Sequence, residues 1–158
     1  MEDITFRAVA TLQSANFIVC EDTRITGRLL QRYDIPRKPL ISHYKHNIKR
    51  HIPQTLRRLT DGENGALVSD AGTPGISDPG EMLLTKAVAE DIPIAPIPGP
   101  SALTALLSVN HLPAGQFFFQ GFLPHKKGRL TRWQWLANFP FPVVFFESTH
   151  RIHRFLDE

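Results

Sequence analysis

Four carboxylates in this chain stand where an acid–base group is useful, at the ends of short apolar runs. Glu21 and Asp22 follow the run 16–20, Asp70 follows Ala66-Leu67-Val68-Ser69, and Glu147 closes the run 142–147. A carboxylate at the end of a buried strand loses part of its hydration, which raises its pKa toward values suited to proton transfer. That argument favours Asp70 and Glu147. Each has a plainer alternative: Asp70 can cap its own loop through an Asx-turn, and Glu147 can pair with Arg151 four residues on. Arg24 can hold a phosphate or pair with Glu21, and spacing does not separate the two. The pairs His43-x-x-His46 and His150-x-x-His153 lack the further converging ligands a zinc site needs, so no metal is predicted.

The second chemical feature is the stretch ALVSDAGTPGISDPG, residues 66–80. Its apolar start reads as a buried strand, and Gly72, Pro74, Gly75, Pro79 and Gly80 then fall within nine positions. Asp78 is a good helix N-cap, Pro79 suits the first helical position and Glu81 completes an Asp-x-x-Glu box. A strand, a glycine loop and a helix N-terminus form the usual ligand-binding corner of an α/β sheet. Gly72 and Gly75 allow a ligand to approach the backbone without a Cβ in the way. The alternative is a tight connector with no ligand.

The elements that must position these groups alternate along the chain. Residues 3–15 read as a helix capped by Asp3, 16–20 as a strand, and the next helix is capped by Asp22 or Thr23 and stops before Pro36. A short strand 39–42 leads into the basic loop His43-Tyr44-Lys45-His46-Asn47, and a helix starts near Ile52 because Pro53 fits a first turn. After the glycine loop come a helix over 80–90, a strand over 92–97, the turn Pro98-Gly99-Pro100 and an apolar helix opened by Ser101. This alternation predicts an α/β fold with a largely parallel sheet flanked by helices. Composition shifts at 110–116, which places a first domain at 1–112. The rest, 117–158, reads as strand, helix, strand and partial helix, the start of a second α/β domain with too little apolar cover to be whole. The chain is therefore expected to be a fragment of a longer protein.

Of 158 residues, 42% are hydrophobic and 21% charged, ordinary values for a soluble globular protein. No apolar run is long enough to cross a membrane, no leader pattern opens the chain, and the single Cys20 suits a reducing compartment. A cytoplasmic protein with no membrane partner is expected. The net charge of +3 is modest, but the basic residues cluster: Arg24 to Arg58, Lys126 to Arg132, and Arg151 with Arg154. Such clusters are the footprint of phosphate-backbone binding, or else solvated helix faces.

Six motifs occur in order: Glu21-Asp22-Thr23-Arg24, Val68 to Pro74 (VSDAGTP), Asp78-Pro79-Gly80, Pro98 to Ala102 (PGPSA), Gly121-Phe122-Leu123-Pro124, and Glu147 to Arg151 (ESTHR). The set resembles the ribosomal RNA small-subunit methyltransferase I family of the tetrapyrrole methylase superfamily, over essentially the whole chain. The resemblance implies a class III, tetrapyrrole methylase-like fold and two domains. It implies an enzyme using S-adenosylmethionine to methylate the ribose 2′-hydroxyl of a cytidine in 16S ribosomal RNA, as a homodimer when full length. It places the cofactor between the domains, against Asp70, Ala71, Gly72, Thr73 and Ile76 and the turn at Ser101 and Ala102. The alternatives are a tetrapyrrole or other small-molecule acceptor on the same fold, or an inactive RNA-binding remnant. Family members carry a strand and a Pro-Thr-Pro-Ile-Gly-Asn-like loop ahead of the first helix, so the first domain here is expected to lack its first strand. A ribose hydroxyl is a weak nucleophile, so Asp70, Glu147 and Glu21 are the catalytic candidates. For RNA contact the candidates are Arg24, Lys45, His46, Lys126, Lys127 and Arg151, with Trp133 and Trp135 either stacking on a base or packing in the core.

Overall fold

The run Phe17–Cys20 forms β1, and all four of its side chains are buried. That pattern belongs to a central strand covered on both faces rather than to a half-solvated edge. In the computed structural model, which describes residues 1–44, 48–112 and 115–157, β1 lies between β2 (Leu40–Ser42) and β3 (Gly65–Val68). Both pairings are parallel. In register, Cys20 stands opposite Ser42 on one side and Val68 on the other, so the three strands end level.

Helices α1 (Phe6–Ser14), α2 (Thr23–Arg32), α3 (Ile48–Thr60) and α4 (Gly80–Ala89) cover this sheet. Side chains alternate along β1. Ile18 and Cys20 pack with Leu12, Leu30 and Ile35, whereas Phe17 and Val19 pack with Ile52, Leu56, Leu83 and Ala87. Two apolar layers therefore sandwich one short strand, as an α/β sheet requires.

The helix starts follow local chemistry. Thr5, not Asp3, caps α1 by accepting from the Ala8 N–H at 3.1 Å. Asp22 caps α2 by accepting from the Arg24 N–H at 2.8 Å. Helix α3 begins at Ile48 and runs through Pro53 instead of starting beside it. Burial of Ile52, Thr55 and Leu56 outweighs the backbone hydrogen bond that proline cannot make. The expected strand over 92–97 does not form. Pro93 and Pro96 lack the N–H groups a ladder needs, and only Ile92 of this run joins the core.

The chain divides into two compact units, Met1–Ser101 and Ala102–Glu158. Helix α5 (Ala102–Val109), expected at the end of a domain 1–112, groups with the second unit. There β4 (Phe118–Phe122) and β5 (Val143–Phe146) pair in parallel with a register shift between Phe119 and Gly121, and α6 (Arg129–Ala137) and α7 (Ile152–Leu156) follow the two strands. Aromatic packing holds this unit together. Trp133 lies 5.3 Å from both Phe145 and Phe155, while Trp135 packs edge-on to Phe118 at 5.5 Å yet stays 46% exposed.

Candidate active site

Because β1, β2 and β3 are parallel neighbours that end level, their following loops gather at one edge of the sheet. An open cleft of about 560 Å³ lies there, bordered by Glu21, Asp22, Thr23 and Arg24 after β1, Ser42 and Tyr44 at the end of β2, and Asp70 after β3. The Asp22 N–H donates to Asp70 Oδ1 at 3.3 Å, tying the first loop to the third. The Ser42 hydroxyl donates to the Glu21 carbonyl at 3.3 Å, tying the second to the first. Asp70 thus reaches across the sheet edge, and the local turn bond is made by Ser69, whose hydroxyl donates to the Ala71 carbonyl at 3.1 Å.

The carboxylates divide by environment. Burial raises the Glu21 carboxyl above its ordinary range, and the charges of Asp70, Asp78 and Asp22 push the same way. Asp22 is held down to about 2, first by its hydrogen bonds from the Arg24 guanidinium and then by the Arg24 N–H. Arg24 grips both Asp22 oxygens, with Nη2 at 2.7 Å from Oδ2 and Nε at 3.1 Å from Oδ1, so its partner is Asp22 and not Glu21. Asp70 is exposed, and the desolvation expected for it is not met.

Glu147, in the second unit, has a side chain only 5% exposed but does not follow the expected direction either. Burial pushes its carboxyl up, but the Ser148 N–H, Arg151 and Arg129 outweigh that and the net shift is downward. The Ser148 N–H donates to Glu147 Oε1 at 2.7 Å, and Arg151 Nη2 stands 2.7 Å from the same oxygen. The plainer alternative, a pair one helical turn apart, is the one observed. Arg151 is therefore an ion-pair partner, while Lys126 and Lys127 stand exposed in the turn before α6. Lys45 and His46 lie outside the described residues.

Beyond β3 the chain makes the expected glycine loop. Gly72 has φ +73° and Gly75 φ +83°, both in the left-handed region that favours glycine. A Cβ on Gly72 would meet nothing within 4 Å, so its backbone lies open. Asp78 clasps the loop onto α4: its carboxylate accepts from the Gly75 N–H at 3.0 Å and from the Gly80 N–H at 2.6 Å. Helix α4 starts at Gly80, where the helix over 80–90 is expected to start, with Pro79 rather than Asp78 as its N-cap. Thr73 and Ile76 lie exposed on this loop, Ser101 directly precedes α5, and Ala102 is the first residue of that helix.

One residue of this sheet edge enters the sequence reading only as half of a rejected metal pair and as part of a basic loop. His43, just past β2, is 2% exposed and lines a small cavity with Cys20, Glu21, Ser69 and Asp78. The Thr55 hydroxyl donates to the His51 carbonyl at 3.0 Å, so its oxygen accepts from His43 Nε2–H at 3.3 Å. That assignment leaves His43 Nδ1 as a buried acceptor with no partner among the described residues. Burial, and then the neighbouring His51, lower its pKa to about 4. The signal was available: a histidine directly after an apolar strand sits at the ligand edge of a parallel sheet. Cys20 is buried, and burial pushes its thiol up. Among the described residues no cluster of three or more histidine, cysteine or acidic side chains is placed to hold a metal ion. No described helix is long and apolar enough to cross a membrane.

The sequence matches the family of Tetrapyrrole (Corrin/Porphyrin) Methylases over residues 1–158. It is 46% identical over 153 residues to the ribosomal RNA small subunit methyltransferase I of Mesorhizobium japonicum, an alignment covering 96% of this chain and 52% of that protein. To the protein of the same name from Thermotoga maritima it is 44% identical over 152 residues, covering 96% and 68%. For the Escherichia coli O157:H7 protein the figures are 42% over 153 residues, covering 96% and 53%. The chain thus spans about half the length of most of these curated relatives. Among solved structures, that of diphthine synthase superposes with a TM-score of 0.70 at 13% identity, covering 94% of this chain and 60% of that one, a likeness of fold alone. With a parallel sheet whose strand ends form one cleft, and with this identity along nearly its whole length, the chain belongs to the tetrapyrrole methylase family and, within it, to the ribosomal RNA small subunit methyltransferase I group.

Proposed function

We propose that the protein carrying this chain transfers a methyl group from S-adenosylmethionine to the ribose 2′-hydroxyl of a cytidine in small-subunit 16S ribosomal RNA. The observation that carries the reading is the 42–46% identity, over almost the whole chain, with proteins named for that subunit's methylation. The residues present fit such a donor. Gly72 offers open backbone, Asp70, Ala71, Thr73 and Ile76 surround it in sequence, and the carboxylates of Glu21 and Asp70 border the same cleft. Acidic side chains suit a ligand whose sulfur carries positive charge. Asp70 to Ile76, with Ser101 and Ala102, would hold the donor, which supplies a methyl group activated by that sulfonium.

The chain's own task is alignment and proton handling, since an in-line displacement depends on placing the attacking oxygen correctly. Glu21, with its raised pKa, is the group in the cleft suited to take the hydroxyl proton. Asp70 orients the β1 loop through the Asp22 N–H. Glu147, held ionised by Arg151, serves as a fixed negative charge. Arg24, Lys45, His46, Lys126, Lys127 and Arg151 are the proposed RNA contacts. The likeness of the motif set extends the proposal to a cytoplasmic homodimer. Transfer of tritiated methyl from S-adenosylmethionine to unmethylated small ribosomal subunits tests it. Label in the 16S RNA, abolished by Glu21→Gln, is expected; label accepted only by corrin or porphyrin substrates would refute it.

A further inference from the structure

Helix α2 carries Arg24, Arg28 and Arg32 at intervals of four, on one exposed stripe that starts at the cleft. The helix, TRITGRLLQR, contains no acidic residue. Like charges four apart on a helix repel, and a cation in the first turn opposes the helix dipole. Only Arg24 is compensated, by Asp22. Arg28 and Arg32 make no hydrogen bond, ion pair or ring contact among the described residues, and Asp34, just past the helix, forms no ion pair with either. The inward face of the same helix explains its apolar residues, with Thr26 and Leu30 buried, but gives no reason for three outward arginines. The placement of Arg28 and Arg32 is locally unfavourable and lacks an internal partner, which points to an external anion.

Successive arginines at this interval are about 6 Å apart along the helix axis, close to the step between neighbouring phosphates on a nucleic-acid strand. Arginine forks suit phosphate oxygens, and a row of them reads a backbone without reading bases. We propose that α2 is a phosphate track on which Arg24, Arg28 and Arg32 take successive phosphates of one RNA strand and lead it to the cleft between Asp22 and Tyr44. The inference rests on the reading of the substrate as RNA and adds Arg28 and Arg32 to its contacts.

The test measures binding of the protein to a short fluorescein-labelled single-stranded oligocytidylate by anisotropy across a salt series, alongside methyl transfer. Arg28→Gln/Arg32→Gln keeps helix propensity and removes two charges. Its affinity is expected to fall about 10-fold or more, and the slope of log K against log salt to shrink by about 1.4, the value for two lost contacts on a single strand. The double lysine variant should retain most of the binding, and Lys86→Gln, an exposed charge on α4, should change neither quantity. Unchanged affinity and slope in the double glutamine variant would overturn the track, even if wild-type protein methylates ribosomal subunits. Loss of binding to phosphatidylserine vesicles with RNA binding intact would overturn it in favour of a membrane surface. Absent methyl transfer with the expected loss of RNA affinity would leave the track standing and sink the proposed reaction.

Discussion

His43 makes folding stability depend on pH in a window that can be worked out in advance. Its folded pKa of about 4 lies below the ordinary 6.5. Between those values the unfolded chain binds a proton that the folded protein refuses. Stability from this group is therefore full above pH 6.5 and declines as the pH falls toward 4. The whole difference corresponds to about 3 kcal/mol, of which about 2 kcal/mol is lost by pH 5. The perturbation is His43→Gln, whose amide can still donate to the Thr55 hydroxyl but does not titrate. Both tryptophans lie in the second unit, whereas Ile18 and Val19 belong to the sheet that holds His43. Urea titrations are therefore followed by the amide resonances of Ile18 and Val19. Glu21 lines the same cavity and its raised pKa acts with the opposite sign, destabilising as pH rises above its unfolded value, but it is present in both proteins. The variant is expected to be less stable at pH 7 and flatter with pH, so that the wild-type advantage shrinks by about 2 kcal/mol at pH 5. A difference between the two proteins that stays constant within about 0.5 kcal/mol from pH 7 to pH 5 would refute the buried, neutral histidine.

Methyl transfer should rise with pH through the raised pKa of Glu21, and Glu21→Gln should remove that limb of the rate–pH profile. Gly72→Val places a β-branched residue at positive φ, costing about 1–2 kcal/mol, and fills the open space beside the loop; calorimetry with S-adenosylmethionine should then show no binding heat. Thr5→Ala removes the α1 cap and should cost about 1 kcal/mol in urea unfolding. Gly65→Ala would put a Cβ 2.6 Å from the Phe17 ring, and the crowding should cost about 1–3 kcal/mol by the same measurement.

The sheet was legible because short apolar runs ended at polar residues, Glu21 after β1, Ser42 and His43 at the end of β2, and Ser69 with Asp70 after β3. The run 92–97 misled for a physical reason: its apolar residues alternate with prolines that pack as well as any side chain but cannot donate to a ladder. The carboxylates could be placed at strand ends, yet which strands are neighbours decides which carboxylates meet. The Asp22–Asp70 bond depends on the order β2-β1-β3, and spacing along the chain does not encode it. Glu147 shows the same limit in energy. Arg151 was visible four residues on, but its victory over burial depended on the added Ser148 N–H and Arg129. His43 was passed over as half of a metal-like pair, when its place directly after an apolar strand was the better clue.

The clasp made by Asp78 has a mechanical consequence. One carboxylate holds both the glycine loop at Gly75 and the first turn of α4 at Gly80, so the loop and that turn are coupled through a single side chain. Anything that settles on the loop should therefore slow amide exchange at the start of α4, several residues from where it sits. A side chain two residues from a helix start thus turns occupancy of an exposed bend into the fraying rate of a neighbouring element.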